Sequence, residues 1–450
     1  MVKAQMAIAS VREAARSLPI IATSIAKFIW TEDFLFPAAM WLVSRLLVGI
    51  SMLLIAPNLP PLPDGITPHL GWGIFNVWDT VHYRAIVTQG YEFVDDGKQH
   101  NLAFFPLFPV SIFMFMKLGF SLEIAGLIIN NLAFLGTVYC LYSWLKKECG
   151  ISAAHWTIVV INCCPMSLFT GVIYTEGLYL LLSTIALRAF DQKQYIYTAI
   201  FGAMATATRP TGMVLIPAFL ITAWRQNKPP IAYIAGLLSA TGLLVFSVYC
   251  GVNFDNFLAF IAAQKGWRPS LGFDWEGWLN MFMQIPFGNN WYFGWVENDE
   301  GGIKDFWYPL FFSLIMISSS CLFYWRKYFH PQIFRAAYVI VILLLIIADQ
   351  GLINNLLNLS MILGSSYFLW RFRQQLTPIM VVYGFCGIGL LLASGGTISL
   401  SRLAYGIIPL NIAIGVWLSR YPRYAYLVMG IFITLLSKLA VGFAQEIWVG

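Results

Sequence analysis

Apolar residues run along this chain in long blocks, interrupted by short basic, proline- or glycine-bearing segments. The blocks lie at about 35–56, 121–145, 154–172, 175–190, 195–207, 211–224, 231–252, 307–325, 334–349, 352–370, 377–393, 403–418 and 424–444. A helix needs roughly 20 apolar residues, sometimes fewer, to cross about 30 Å of hydrocarbon. The pattern therefore predicts an all-α polytopic membrane protein of roughly thirteen transmembrane helices. One further run, "FFPLFPVSIFMFMKL" at 104–118, is about 15 residues long and contains Pro106 and Pro109. Its length and prolines suit an interfacial or re-entrant helix better than a span.

The charges between blocks sort by side. With a cytoplasmic N-terminus carrying Lys3, Arg12, Arg16 and Lys27, the pairs Lys146/Lys147, Arg225/Lys228, Arg326/Lys327, Arg371/Arg373 and Arg420/Arg423, and Lys193, all fall inside. The positive-inside rule is then satisfied, provided that 104–118 does not cross. Two sizeable loops, at about 57–120 and 253–306, are left outside, and acidic residues concentrate in them. The amphipathic stretch 2–30 lacks an A-x-A-type cleavage site after a compact apolar region and reads as retained interfacial structure. No repeat, soluble domain or low-complexity segment interrupts the chain, so 1–450 reads as one integral membrane domain.

Composition closes off other classes. Hydrophobic residues make up 59% of the chain and charged residues 11%, too few polar groups to cover a water-facing surface. The net charge of +6 is therefore a topology signal and a contact with anionic lipid, and no nucleic-acid partner is expected. The seven cysteines (140, 149, 163, 164, 250, 321 and 386) sit in or at the ends of apolar blocks, with none in the outer loops, so neither a disulfide framework nor zinc spacing is present.

Against this background "WDTVHYRAIVTQGY" at 78–91 is a polar knot. On a helix Asp79, His82, Tyr83 and Ile86 share one face, while Trp78, Val81 and Ala85 turn to an adjoining apolar one. Asn76 is the expected N-cap and Gly90 the stop, which puts Asp79 at the third helical position, near the positive end of the dipole. Two readings follow. Asp79 is part of a capping arrangement, or it is a carboxylate kept ionised to accept a proton from a substrate hydroxyl.

The knot, followed by "HNLAFFPLFP" at 100–109, resembles the signature of the GPI mannosyltransferase 2 family and its prokaryotic relatives. "YTEGLYLLLS" at 174–183, "RPTG" at 209–212 and "SRLAYGIIP" at 401–409 are similar to later pieces of that family. The resemblance implies a GT-C type bundle of integral membrane glycosyltransferases, with two juxtamembrane helices in the first outer loop and a catalytic acid at its start. It implies a lipid-linked sugar donor, a polyprenyl- or dolichyl-phosphate mannose, and an inverting mannosyl transfer outside the cytoplasm to a glycolipid, glycan or protein hydroxyl.

Such a reaction needs a carboxylate to deprotonate the acceptor and cations to hold the departing phosphate. Asp79 is the expected base. Arg209 and Arg402 are expected on the phosphate, which a guanidinium grips with two parallel N–H bonds. His82, Tyr83 and Glu176 are expected to line the sugar or acceptor pocket, with Glu176 alternatively paired to an arginine at an outer helix end. Arg45, inside the first span, reads as a structural or lipid-phosphate contact. The aromatics of "AFFPLFP" and of "WYFGW" at 291–295 read as an interfacial belt.

No cofactor is demanded and no metal site is assigned. Asp95/Asp96 and Asp274/Glu276 have the spacing to ligate a divalent ion, and also that of turns and solvated loops. The expected location is a prokaryotic plasma membrane with the site facing outwards, or the ER membrane in a eukaryote. The rival readings are a transferase of the same fold using another lipid-phosphate sugar, and a lipid or sugar transporter or flippase. A transporter predicts matching halves and broken helices meeting polar groups at the midplane, a pattern this sequence lacks.

Overall fold

Each of the predicted apolar blocks carries helix in the computed structural model, which describes residues 31–62, 65–268, 272–288, 291, 306–325, 328 and 330–450. The expected interfacial stretch 2–30 and the aromatic segment at 292–295 lie outside the described residues. The architecture is helical throughout the described residues, and its one β contact is an isolated bridge between Gly272 and Ser394. This is an integral membrane protein.

Among the described residues five helical stretches are long and apolar enough to span: Glu32–Asn58, Leu122–Glu148, Pro230–Phe254, Gln350–Gln375 and Pro422–Ala444. The rest fall short of the expected count of about thirteen. Helices such as Ile151–Cys163, Glu176–Asp191, Tyr195–Thr206 and Leu215–Arg225 have 13, 16, 12 and 11 residues. At 1.5 Å per residue these reach only about 16–24 Å. The shortfall has visible causes. Block 154–172 breaks at Cys164, where Pro165 opens a 3₁₀ turn running to Thr170. Block 403–418 breaks into Leu400–Tyr405 and Ile408–Arg420 beside Pro409. Block 211–224 opens as a 3₁₀ turn, Pro210–Val214, before Leu215–Arg225 begins. These breaks carry the candidate site residues described below.

The two short helices expected in the first outer loop are present as Asp79–Gln89 and Leu107–Lys117, the second starting just after Pro106. The 253–306 segment also forms the helices Ala259–Ala262 and Trp275–Phe287, which its polar composition had not suggested. It packs onto the first loop: Gln264 donates to the Ala103 carbonyl at 3.0 Å, and Lys265 meets Asp95 at 3.4 Å.

The core is a continuous apolar mass including Trp144, Phe134, Phe190, Phe219, Tyr383 and Phe443. At one end of the helices Lys146 pairs with Asp33 at 2.6 Å, and Cys149 donates to the Gln375 carbonyl. These positions belong to the segments read as cytoplasmic. That assignment predicts that a maleimide added outside intact cells labels Asp96→Cys and leaves Lys146→Cys untouched. Labelling of position 146 from outside would overturn the orientation.

Candidate active site

The Asp79–Gln89 helix starts two residues later than its sequence suggests. Asn76 ends a 3₁₀ turn, Trp72–Phe75, and Trp78 occupies the N-cap with no side-chain cap bond, so Asp79 is the first helical residue rather than the third. Gly90 ends the helix at φ 91°, as expected. Trp78 itself has φ 57°, a conformation costing about 1–3 kcal/mol outside glycine that persists only when its surroundings over-determine it. Three contacts do so. The Asp79 N–H donates to the Tyr174 hydroxyl at 3.3 Å, Thr80 Oγ1 donates to the Ile173 carbonyl at 3.1 Å, and the Trp78 ring meets Trp448 edge-on at 5.1 Å. The carboxylate is thereby released from capping and faces Arg402, whose Nη1 donates to Oδ2 at 2.9 Å. Oδ1 has no hydrogen-bond partner among the described residues.

Glu176 opens the next break. The 3₁₀ turn Pro165–Thr170 runs into the Glu176–Asp191 helix. Asn130, fully buried on the Leu122–Glu148 helix, clamps the junction: its amide donates to the carbonyls of Phe169 and Val172 at 2.8 and 2.7 Å, and its Oδ1 accepts from the Gly177 N–H at 2.6 Å. Only glycine fits at 177, because a Cβ there would lie 2.2 Å from the Asn130 carbonyl oxygen. Glu176 is held with its side chain 1% exposed, 2.6 Å from Arg209 Nη1 and 3.6 Å from Arg402 Nε. These are charge contacts without aligned N–H bonds, so both carboxylate oxygens keep unused acceptor capacity.

A second buried asparagine does the same for Arg402. Asn358 accepts from the Ser401 N–H at 2.8 Å and donates to the Thr397 carbonyl at 3.2 Å, fixing the turn that enters Leu400–Tyr405. The Arg402 guanidinium lies over three rings, Phe169 at 5.2 Å, Tyr174 at 5.3 Å and Trp448 at 5.8 Å. Arg209 lies 5.8 Å from the ring of Tyr179, whose hydroxyl shares a 2.9 Å hydrogen bond with Tyr383. Two carboxylates and two guanidiniums thus form one continuous, neutral, largely buried chain: Asp79, Arg402, Glu176, Arg209.

His82 and Tyr83 lie beside this chain without bonding to it. His82 stacks on Phe104 at 4.6 Å and meets Trp267 edge-on at 5.4 Å, and burial pushes its imidazole pKa below the usual range despite the Asp79 and Glu92 carboxylates. Tyr83 is buried against Phe104 and Phe108, and burial raises its phenol. The loop acids have partners of their own: Asp96 with His100 at 2.7 Å, Asp95 with Lys265, and Asp274 capping its helix at the Gly277 N–H.

Sequence reasoning missed the aromatic cage, the two asparagine clamps and Arg268. The last donates to Ser394 Oγ at 2.8 Å and to the Gly396 carbonyl at 2.9 Å, and its pKa is lowered by burial and by the charge of Arg402. Its only sequence signal was a cation in an outer loop where acidic residues concentrate.

An all-helical membrane protein with a buried carboxylate–guanidinium chain at its helix breaks is the class these observations define. Residues 51–228 match the family model described as Mannosyltransferase (PIG-V), a segment that contains Asp79, His82, Tyr83, Glu176 and Arg209 and stops short of Arg402. The resemblance read from the sequence is borne out there. The chain is similar to the GPI alpha-1,6-mannosyltransferase 2 of Rattus norvegicus, 24% identical over 152 residues covering 31% of this chain and 30% of that protein. To the Homo sapiens protein of the same name it is 24% identical over 168 residues, 34% of this chain and 33% of that one. The match thus spans about a third of the length of these relatives. Among solved structures it resembles the Archaeoglobus fulgidus oligosaccharyltransferase in complex with Zn and sulfate (TM-score 0.43, 13% identity, 91% of this chain and 53% of that one). It also resembles ArnT from Cupriavidus metallidurans bound to undecaprenyl phosphate (TM-score 0.44, 12% identity, 88% and 62%).

Proposed function

We propose that this protein is an inverting membrane mannosyltransferase that moves a mannosyl group from a polyprenyl- or dolichyl-phosphate mannose to an acceptor hydroxyl on the extracytoplasmic face. The observation that carries the reading is the ionic chain itself: a carboxylate with one free oxygen next to a buried guanidinium, on a segment similar to mannosyltransferases. In this scheme the acceptor O–H gives its proton to Asp79 as its oxygen bonds to the anomeric carbon. The bond from that carbon to the phosphate oxygen breaks, and the electron pair leaves with the lipid phosphate. Arg402 and Arg209 hold the phosphate, taking up its charge with the Arg402 N–H now bonded to Asp79 and with N–H groups that make only charge contacts to Glu176. His82 and Tyr83 line the acceptor side.

Incubating purified protein with a panel of polyprenyl-phosphate sugars tests the donor. Consumption of the mannosyl lipid supports the reading, consumption of another sugar lipid moves it to a different donor, and consumption of none returns the chain to the transporter alternative. Charges at helix starts and breaks are also what a transporter would show, so the donor panel, and not their position, separates the two readings.

If the arginines hold phosphate, Arg209→Ala and Arg402→Ala raise the donor KM, and lysine at either position restores only part of the loss, because an ammonium lacks the bidentate fork. Unchanged donor use in both alanine variants would place the phosphate elsewhere.

A further inference from the structure

Beside the Pro165–Thr170 turn lies an apolar groove of about 520 Å³, between Glu32–Ile50 and Leu122–Glu148 and lined also by Trp72 and Phe75. Leu46 and Leu132 beside it are 54% and 58% exposed, so it faces the surface that the topology above assigns to lipid. Its wall is hydrocarbon and indole apart from Arg45 and Asn131. Arg45 donates to Ser44 Oγ, Asn131 Oδ1 and the Ser167 carbonyl, each at 3.3 Å, and lies 5.1 Å from the Phe134 ring. Three of its five N–H groups are used. No carboxylate lies within ion-pair distance among the described residues, in contrast to Arg209 and Arg402.

A guanidinium within a span is expensive, and such residues ordinarily pair with acids or with a ligand. Here the charge is uncompensated and faces a slot within the size range of small-molecule pockets. Glycine lines the slot at Gly49 and Gly171; a Cβ at 171 would come within 2.9 Å of Arg45 Nη1, whereas a Cβ at 49 would meet nothing within 4 Å. We propose that this groove binds an anionic phospholipid of the bilayer, its phosphodiester on Arg45 and one acyl chain along the apolar wall. The occupant is a bilayer lipid because the groove opens beside exposed Leu46 and Leu132, and because Arg45 reaches the Ser167 carbonyl of the turn with no acid partner, whereas Arg402, paired with Asp79, reaches the Phe169 ring. The lipid thereby braces the turn that carries part of the cage around Arg402.

The test is native mass spectrometry of protein taken from bilayers of phosphatidylcholine mixed with phosphatidylglycerol, which reads binding without any sugar transfer. The wild type is expected to retain phosphatidylglycerol over phosphatidylcholine by about five-fold, the ratio equivalent to ~1 kcal/mol of extra attraction at one cation. Arg45→Gln removes the preference. Gly49→Leu keeps the cation, fills the slot without a backbone clash and loses bound lipid altogether. Equal retention of both lipids by the wild type, wild-type retention by Gly49→Leu, or recovery of a polyprenyl phosphate or a second copy of the chain in place of phospholipid would each overturn the proposal.

Discussion

If Asp79 is the general base proposed above, Asp79→Asn is expected to lose sugar transfer by on the order of 10² to 10⁴, the contribution of a positioned base, while the protein stays folded. The fold makes this substitution mild. Asp79 caps nothing, and an asparagine oxygen can still accept from Arg402 at the position where Oδ2 stands 2.9 Å away. Arg402 also keeps Glu176 at 3.6 Å and its three rings. A purely structural role for Asp79 predicts the opposite pattern, in which any loss of activity follows a loss of stability. Sugar transfer and thermal midpoint measured on one preparation separate the two. A variant that is both stable and fully active would reduce Asp79 to an ion-pair partner and leave the reaction without a base.

The helices were legible because their apolar blocks are long and their flanking cations sort cleanly, as at Lys146 and Arg420. Their ends were not, because each end depends on a contact made far away in sequence. Asn76 is as good a local N-cap as any, yet the helix waits until Asp79 because Tyr174 and Ile173 take its first polar groups. The block 154–172 reads as one span on hydropathy, and only the Asn130 clamp shows that its second half is a turn delivering Glu176. The charged site residues stood out for a simple reason: an ionisable group in hydrocarbon needs a partner. Which acid meets which arginine was hidden, since Asp79 and Arg402 are 323 positions apart. Aromatic partners such as Phe169 and Trp448 were invisible among so many others in the chain, because nothing local distinguishes a ring over a guanidinium from a ring in the core.

Glu176→Gln is expected to be the most destabilising single change in the site. Among the described residues Glu176 is the only carboxylate within ion-pair distance of both arginines, and its side chain is 1% exposed. Removing its charge leaves two buried guanidiniums facing one remaining carboxylate, and breaking a buried pair from one side costs about 3–5 kcal/mol. It also removes a negative charge from the first residue of Glu176–Asp191, where the helix dipole favours one. Arg209→Gln alone should destabilise for the mirror reason, since Glu176 then keeps only the looser contact with Arg402. Combining the two substitutions removes both orphaned charges, so the double variant should be more stable than the sum of the single losses predicts, by about 0.5–3 kcal/mol. The measurement is a double-mutant cycle on thermal midpoints in one detergent. Strict additivity would mean that the 2.6 Å approach of Arg209 to Glu176 carries no coupling. The arginine would then stand free to meet a phosphate without giving up a partner.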